Sequence, residues 1–80
     1  MRTPVIHELK IDDHFVTMIR EGKKRHEVRK ADRDYSCGDF LFLKSINDGV
    51  AVAVTHITPS GARGLPEDLC VMSIKPINPE

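Results

Sequence analysis

The fold is decided by residues 40–57, which read FLFLKSINDGVAVAVTHI. Phe40–Leu43 is a continuous apolar run, which predicts a strand buried on both faces. Asn47-Asp48-Gly49 is a strong signal for the turn of a β-hairpin. Val50–Ile57 is the next predicted strand, because valines alternate with smaller residues along it. One face of this strand carries Val50, Val52, Val54 and His56. The stretch therefore predicts two strands joined by a tight turn.

Two further strands and two connections are predicted around this hairpin. Apolar and charged residues alternate over His7–Ile11, which predicts a short strand with His7, Leu9 and Ile11 on one face. Residues 35–39 form a predicted turn. Residues 59–68 hold two glycines and two prolines and are predicted to be a loop. Cys70–Ile77 is the last predicted strand, and residues 78–80 are expected to fray.

A single helix is predicted over Asp13–Glu21. Asp12 and Asp13 are good candidates for its N-cap. Gly22 suits the position just after a helix end, because glycine adopts a left-handed backbone without steric cost. The buried stripe of the helix is predicted from the i, i+3, i+4 spacing of Phe15, Met18 and Ile19.

The order of these elements predicts the fold class. Eighty residues form one domain, 1–80, with no room for a second core. Strands in so small a chain must protect their edges, and closure of the sheet does this best. We therefore expect an α+β, mainly β domain: a small, partly closed β-barrel of five to six strands with one N-terminal helix packed against it.

Positive charge is concentrated in one segment. The chain has twelve Lys and Arg and twelve Asp and Glu, so its net charge is zero. Between Arg20 and Arg33, seven residues are basic and three are acidic, which gives a local charge of +4. A neutral protein with one basic segment favours a localised site for an anion or polyanion.

This basic segment contains GKKRHEVR, residues 22–29. A strand is predicted over His26–Lys30, and if Val28 faces the core, Glu27 and Arg29 share the opposite face. Lys24 is a flexible point charge suited to phosphate, and the planar fork of Arg29 suits a phosphate or a base edge. The alternatives are an exposed lysine after a helix and a simple Glu27–Arg29 ion pair.

Other classes of site have little support. Cys37 and Cys70 form no CxxC pattern and are expected to be reduced, partly buried thiols of a cytoplasmic protein. The four histidines form neither HxH nor HExxH, so no metal and no cofactor is expected. His7 and His56 are predicted to be hydrogen-bonded core residues. No apolar stretch approaches the ~18 residues of a membrane span, and the N-terminus lacks an apolar signal core.

Gly22-x-Lys24-x-x-Glu27-x-Arg29 matches the GxKxxExR signature, and on these residues the chain resembles the ASCH domains of the PUA-like group. Flanking strings in order resemble a small uncharacterised phage and bacterial family within that group: HELKI at 7–11, EVRK at 27–30, DR at 32–33, GD at 38–39, VTHI at 54–57 and VMSI at 71–74. The resemblance covers about His7 to Lys75. It implies a PUA-like β-barrel with a cleft between barrel and helix, and suspected RNA binding.

A few ASCH domains are enzymes, similar to amidohydrolases that deacylate N4-acylated cytidine or reported as ribonucleases. The resemblance would align the amidohydrolase lysine with Lys24, its threonine nucleophile with Glu27 and its glutamate with a position near Ser73. Only the lysine is present, which argues against transferring this chemistry.

Three functions remain open from the sequence. The first is a module that binds RNA or a nucleotide-like ligand in a basic cleft; its expected binding residues are Lys10, Lys24, Glu27, Arg29 and Arg33, with Glu27 orienting Arg29. The second is a small hydrolase acting on RNA or a modified nucleoside, with Lys24 and Glu27 in acid–base roles. The third is a protein-interaction module of phage or mobile-element origin that exposes an apolar patch.

Overall fold

Five strands form one curled sheet with a single α-helix against it, in a computed structural model that describes residues 3–77. The elements are β1 (Ile6–Lys10), α1 (Asp13–Arg20), β2 (His26–Lys30), β3 (Phe40–Lys44), β4 (Gly49–Thr58) and β5 (Leu69–Pro76). A short 3₁₀ turn, Ala62–Gly64, lies in the loop before β5. The predicted mainly β fold with one helix is confirmed as a five-stranded half-barrel. The predicted fraying of residues 78–80 lies outside the described residues.

The predicted hairpin is confirmed and forms the middle of the sheet. Leu41 lies opposite Val52 and Leu43 opposite Val50, in an antiparallel register of β3 and β4. The strand order is β1-β3-β4-β5-β2, with β1 parallel to β3 and the other pairs antiparallel. This order leaves β1 and β2 as the two edge strands.

The face that α1 buries differs from the predicted stripe. Val16 and Ile19 are fully buried in the core, whereas Phe15 and Met18 are only half-buried. The helix packs against β4 through this narrower Val16–Ile19 stripe. Phe15 lies to one side of it, where its ring contacts the basic segment instead of the core.

α1 ends just before Gly22, where the glycine predicted a helix end. Gly22 has a φ of +77°, and its N–H donates to the Ile19 carbonyl at 3.0 Å. The Lys23 N–H donates to the Met18 carbonyl at 2.9 Å, which completes a Schellman ending. The left-handed turn at Gly22 redirects the chain from the helix into the basic segment before β2.

β3 is buried on one face only, so the prediction of a strand buried on both faces is wrong. Leu41 and Leu43 are fully buried, whereas Phe42 is 37% exposed. The helix covers only the inner face of the sheet, so alternate side chains of β3 face outward. Phe42 nevertheless packs across the hairpin onto Gly49, where an added Cβ would come within 3.0 Å of its ring.

A bulge near the end of β4 changes which side chains point toward the core. Val50, Val52 and Val54 are buried as predicted. The register between β4 and β5 shifts between Val54 and His56, and a bulge of this kind breaks the regular alternation. His56 is exposed as a result, so its prediction as a core histidine is wrong.

A buried pair of His7 and Asp39 ties β1 to the start of β3. His7 Nε2 lies 2.8 Å from Asp39 Oδ2, and both side chains are buried. The Asp39 carboxylate also accepts the backbone N–H groups of Val5 at 3.1 Å and Ser36 at 3.0 Å. His7 is thus confirmed as a hydrogen-bonded core histidine. Asp39 was predicted only as a turn residue, but its carboxylate joins the start of β1 to the turn before β3.

The two cysteines are both free thiols in different environments. Cys70 is buried, and this burial raises the pKa of its thiol. Cys37 is exposed in the turn before β3, contrary to the expectation of partial burial, and its Sγ donates to the Thr55 carbonyl at 3.1 Å.

Candidate functional site

Arginine side chains bridge the opening between the two edge strands, β1 and β2. Arg29 Nη2, on β2, donates to the Lys10 carbonyl of β1 at 2.7 Å. Arg33 follows β2, and its Nη1 donates to the Glu8 carbonyl at 3.4 Å. Carbonyls on the unpaired edge of a strand need donors, and these arginines supply them. Side chains from the basic segment therefore link the edges that no backbone ladder joins.

β2 faces the opposite way from the prediction. Glu27 is only 5% exposed, whereas Val28 is 53% exposed. Arg29 is half-buried and shares the face of Glu27, as predicted, but that face points inward. A carboxylate is tolerated in a buried position when cations pair with it, and two cations contact Glu27. Hydrophobicity alone therefore gave the wrong facing for this strand.

Glu27 lies between Arg29 and Lys24. Arg29 Nε donates to Glu27 Oε2 at 2.6 Å, and Lys24 Nζ lies 3.4 Å from Glu27 Oε1. The two basic side chains keep 23% and 22% of their surface exposed, so a ligand can reach them. A guanidinium has five N–H donors and an ammonium has three, which leaves donors for a ligand after these contacts.

Lys24 is held in place by three separate contacts. Besides Glu27, its Nζ donates to the His26 carbonyl at 2.8 Å. The ammonium also lies 5.1 Å from the centre of the Phe15 ring, within the range of a cation–π contact. The Lys24 backbone follows directly from the glycine turn that ends α1. The helix end and β2 together thus position this lysine beside the edge-strand opening.

The Lys24 pocket brings together four of the five predicted binding residues. It is an open pocket of about 290 Å³ beside the helix start, and its lining includes Lys10, Lys24, Glu27 and Arg29. The remaining lining residues are Ile11, Asp12, Phe15 and Val28. Sequence reasoning assigned Asp12 and Phe15 only to capping and to the core. The position of Phe15 on the edge of the buried stripe is the one signal that could have revealed its second role.

The fifth predicted residue, Arg33, lines a second and smaller pocket. This Tyr35 pocket has a volume of about 200 Å³ and is lined by Leu9, Arg29, Lys30, Asp32, Arg33 and Tyr35. Arg29 is common to both pockets. Partial burial raises the pKa of the Tyr35 hydroxyl, so this group stays protonated at neutral pH. Tyr35 was predicted only as a turn residue.

Volume alone does not single out this region. A larger hollow of about 470 Å³ adjoins the Lys24 pocket and shares Lys10 and Ile11 with it. What distinguishes the Lys24 pocket is its chemistry, since three basic residues line it and two of them, Lys24 and Arg29, contact one buried carboxylate. Counting Asp12 as well, the charged lining sums to +1.

Within residues 3–77, no cluster of three or more His, Cys, Asp or Glu side chains could hold a metal ion. In the same residues, no helix has the length and apolar character needed to cross a membrane.

Comparison with known proteins gives a family and a fold relative. A family model described as a domain of unknown function, DUF3850, matches residues 6–74. An uncharacterised 12.9 kDa protein in the GpA 3′ region of Escherichia phage P2 is 47% identical over 45 residues, or 56% of this chain. The chain spans 41% of the length of that phage relative.

The crystal structure of hypothetical protein PH0355 has the same overall fold. Its TM-score with this chain is 0.71, and the match covers 90% of this chain and 99% of PH0355. Sequence identity between the two is 16%, so the comparison shows a similar fold and nothing about function. The family match, in contrast, extends from β1 into β5 and includes every predicted binding residue. The chain therefore belongs to the DUF3850 family of domains of unknown function.

Proposed function

We propose that the protein binds RNA or a nucleotide-like ligand in the Lys24 pocket. One observation carries this proposal: Lys24 and Arg29 converge on the buried Glu27 carboxylate while both remain open to solvent. Glu27 and the Lys10 carbonyl fix the guanidinium before any ligand arrives, which lowers the entropic cost of binding a phosphate. Lys10 adds a third positive charge to the lining.

The apolar part of the pocket suits a nucleotide better than a free inorganic anion. Ile11, Phe15 and Val28 line the same pocket as the cations. Single-stranded RNA is commonly recognised by bases that stack on aromatic side chains while phosphates contact basic ones. The resemblance to ASCH domains of the PUA-like group, in which RNA binding is suspected, supports the same ligand class.

The hydrolase alternative has weaker support. Lys24 and Glu27 are close enough to exchange a proton, at 3.4 Å. However, the described residues that line the Lys24 pocket include no Ser, Thr or Cys that could act as a nucleophile. Thr55, on β4, donates its hydroxyl hydrogen to the Ser73 carbonyl of the neighbouring strand β5, and neither residue lines the Lys24 pocket. The Glu27 carboxylate is also already engaged by Arg29 at 2.6 Å and Lys24 at 3.4 Å, so it is not free to act on a substrate.

The proposal is tested by fluorescence anisotropy with a labelled single-stranded RNA at low and at physiological salt. We expect the affinity of the native protein to fall as salt increases, because phosphate contacts release counterions. The Lys24→Ala variant should bind at least roughly tenfold more weakly. Lys23→Ala is the matched control, since Lys23 is the exposed neighbour that pairs with Glu21 and lies outside the pocket lining.

Equal losses in the Lys24→Ala and Lys23→Ala variants would mean that general positive charge, and not this pocket, attracts RNA. Absence of binding by the native protein at low salt would refute the proposed function. In that case the protein-interaction alternative gains weight, for which the exposed side chains of Ile6 and Ile46 are the starting point.

A further inference from the structure

The Lys24 pocket and the Tyr35 pocket share one chemical feature. Each places one aromatic ring beside basic side chains: Phe15 with Lys10 and Lys24, and Tyr35 with Lys30 and Arg33. Arg29 is the one residue that lines both, so the two pockets meet at its side chain. Along the opening, Arg29 therefore lies between the pocket that contains Phe15 and the pocket that contains Tyr35.

Arg29 is suited to hold a charged group between the pockets. Its Nε is engaged by Glu27 and one Nη2 hydrogen by the Lys10 carbonyl. A guanidinium carries five N–H donors, so donors remain for an anion while these two bonds hold the group in place. A phosphodiester group is such an anion, and it joins two nucleosides, one on each side of the phosphate.

Tyr35 has a rigid support, which a binding platform needs. Its ring makes an edge contact with the His7 ring, with centroids 4.8 Å apart. His7 is in turn fixed by its 2.8 Å contact with buried Asp39. A half-buried tyrosine held this way loses little further freedom when a base stacks on it.

The arrangement of the pockets also favours a ligand that occupies both. Two openings, of about 290 Å³ and about 200 Å³, meet at Arg29, and each has its own aromatic ring. A single nucleotide has one base and can therefore stack on only one of these rings. A duplex would not fit this arrangement, because its bases are stacked on each other and unavailable to separate rings.

We propose that the ligand is a single-stranded RNA of at least two nucleotides, with one nucleotide in each pocket and the connecting phosphate on Arg29. This inference rests on the proposed function and adds to it the minimum length of the ligand, its single-stranded state and a second subsite. In it, Lys30, Arg33 and Tyr35 contact only the second nucleotide.

Calorimetric titration of the full chain separates the two subsites. The probes are ribonucleoside monophosphates and RNA dinucleoside monophosphates that carry a terminal phosphate. We expect the dinucleotides to bind roughly tenfold or more tightly than the mononucleotides, since each stacked base adds affinity. A Lys30→Ala/Arg33→Ala variant should lose most of that difference, whereas Lys24→Ala should weaken both classes of ligand.

The control is an Arg63→Ala/Lys75→Ala variant, which removes the same charge from exposed positions outside both pockets. If the dinucleotides bind no tighter than the mononucleotides, or if the Lys30→Ala/Arg33→Ala variant behaves like this control, the second subsite is refuted and the proposed function stands. If neither class binds, both proposals fail. Thermal unfolding of each variant verifies that it is folded before titration.

Discussion

Replacement of Asp39 by alanine is expected to cost the fold about 3–5 kcal/mol in free energy of unfolding. The carboxylate is completely buried and accepts hydrogen bonds from His7, the Val5 N–H and the Ser36 N–H. Its removal leaves buried His7 and the partly buried Val5 and Ser36 N–H groups without their acceptor, and a buried unsatisfied group costs about 1–3 kcal/mol. Small domains have a total stability near the low end of about 5–15 kcal/mol, so the Asp39→Ala variant should keep only about 0–2 kcal/mol of stability.

Urea unfolding and thermal unfolding measure this effect. A loss of 3 kcal/mol corresponds to a fall in Tm of roughly 12 °C or more in a domain of this size. Asp32→Ala is the matched control, because Asp32 is an exposed aspartate in the same β2–β3 connection. A loss of less than about 1 kcal/mol in Asp39→Ala would contradict the role given to the buried His7–Asp39 pair.

Arg29→Ala is expected to have the second largest effect, about 2–3 kcal/mol in stability. This change removes the 2.6 Å partner of buried Glu27 and the 2.7 Å bond that reaches β1 at Lys10. The loss should be smaller than for Asp39 because Lys24 remains near Glu27. Chemical unfolding measures the stability, and RNA binding by the folded fraction should be lost as well.

Two comparisons make the Arg29 result specific. Arg29→Lys should recover only part of the stability, since one ammonium cannot reproduce a planar fork between a carboxylate and a carbonyl. Arg25→Ala should change stability by less than about 0.5 kcal/mol, because Arg25 is exposed and donates only to the nearby Gly22 carbonyl. Full rescue by lysine would mean that Arg29 supplies charge alone and does not bridge the strands.

Elements defined by local chemistry were predictable from the sequence. The Asn47-Asp48-Gly49 turn and the helix ending at Gly22 both depend on backbone conformations that few residues adopt. The alternation of Val50, Val52 and Val54 likewise reports a strand with one buried face. The number, order and type of elements follow from such signals.

Features that depend on distant partners were not predictable. The inward facing of Glu27 requires Lys24 and Arg29 to meet it in space, and the burial of Asp39 requires His7 from another strand. The exposure of His56 follows from a register shift against β5, which leaves no mark in the β4 sequence. In each case a tertiary contact outweighs the local pattern.

The candidate site was predicted only in part, because some of its residues also depend on distant partners. The charge pattern and the GxKxxExR resemblance identified Lys24, Glu27 and Arg29, and Arg33 ends the same basic segment. Lys10 was predicted from its place on the outward face of the first strand. The structure brings these residues to one opening. The two aromatic residues of the pockets were assigned elsewhere, because Phe15 fits a helical stripe and Tyr35 lies among turn residues. Phe15 contacts Lys24 from α1, and Tyr35 contacts His7 from the β2–β3 connection, and the sequence reveals neither contact.

The central claim is that ligand binds at the opening between β1 and β2, and NMR mapping tests it most directly. A ¹⁵N-labelled sample would be titrated with a short single-stranded RNA at low salt while amide chemical shifts are followed. We expect saturable shifts concentrated in residues 8–11 and 24–35. Shifts centred instead on the outer face around Phe42 or on the loop at Arg63, or no saturable shifts at all, would contradict it.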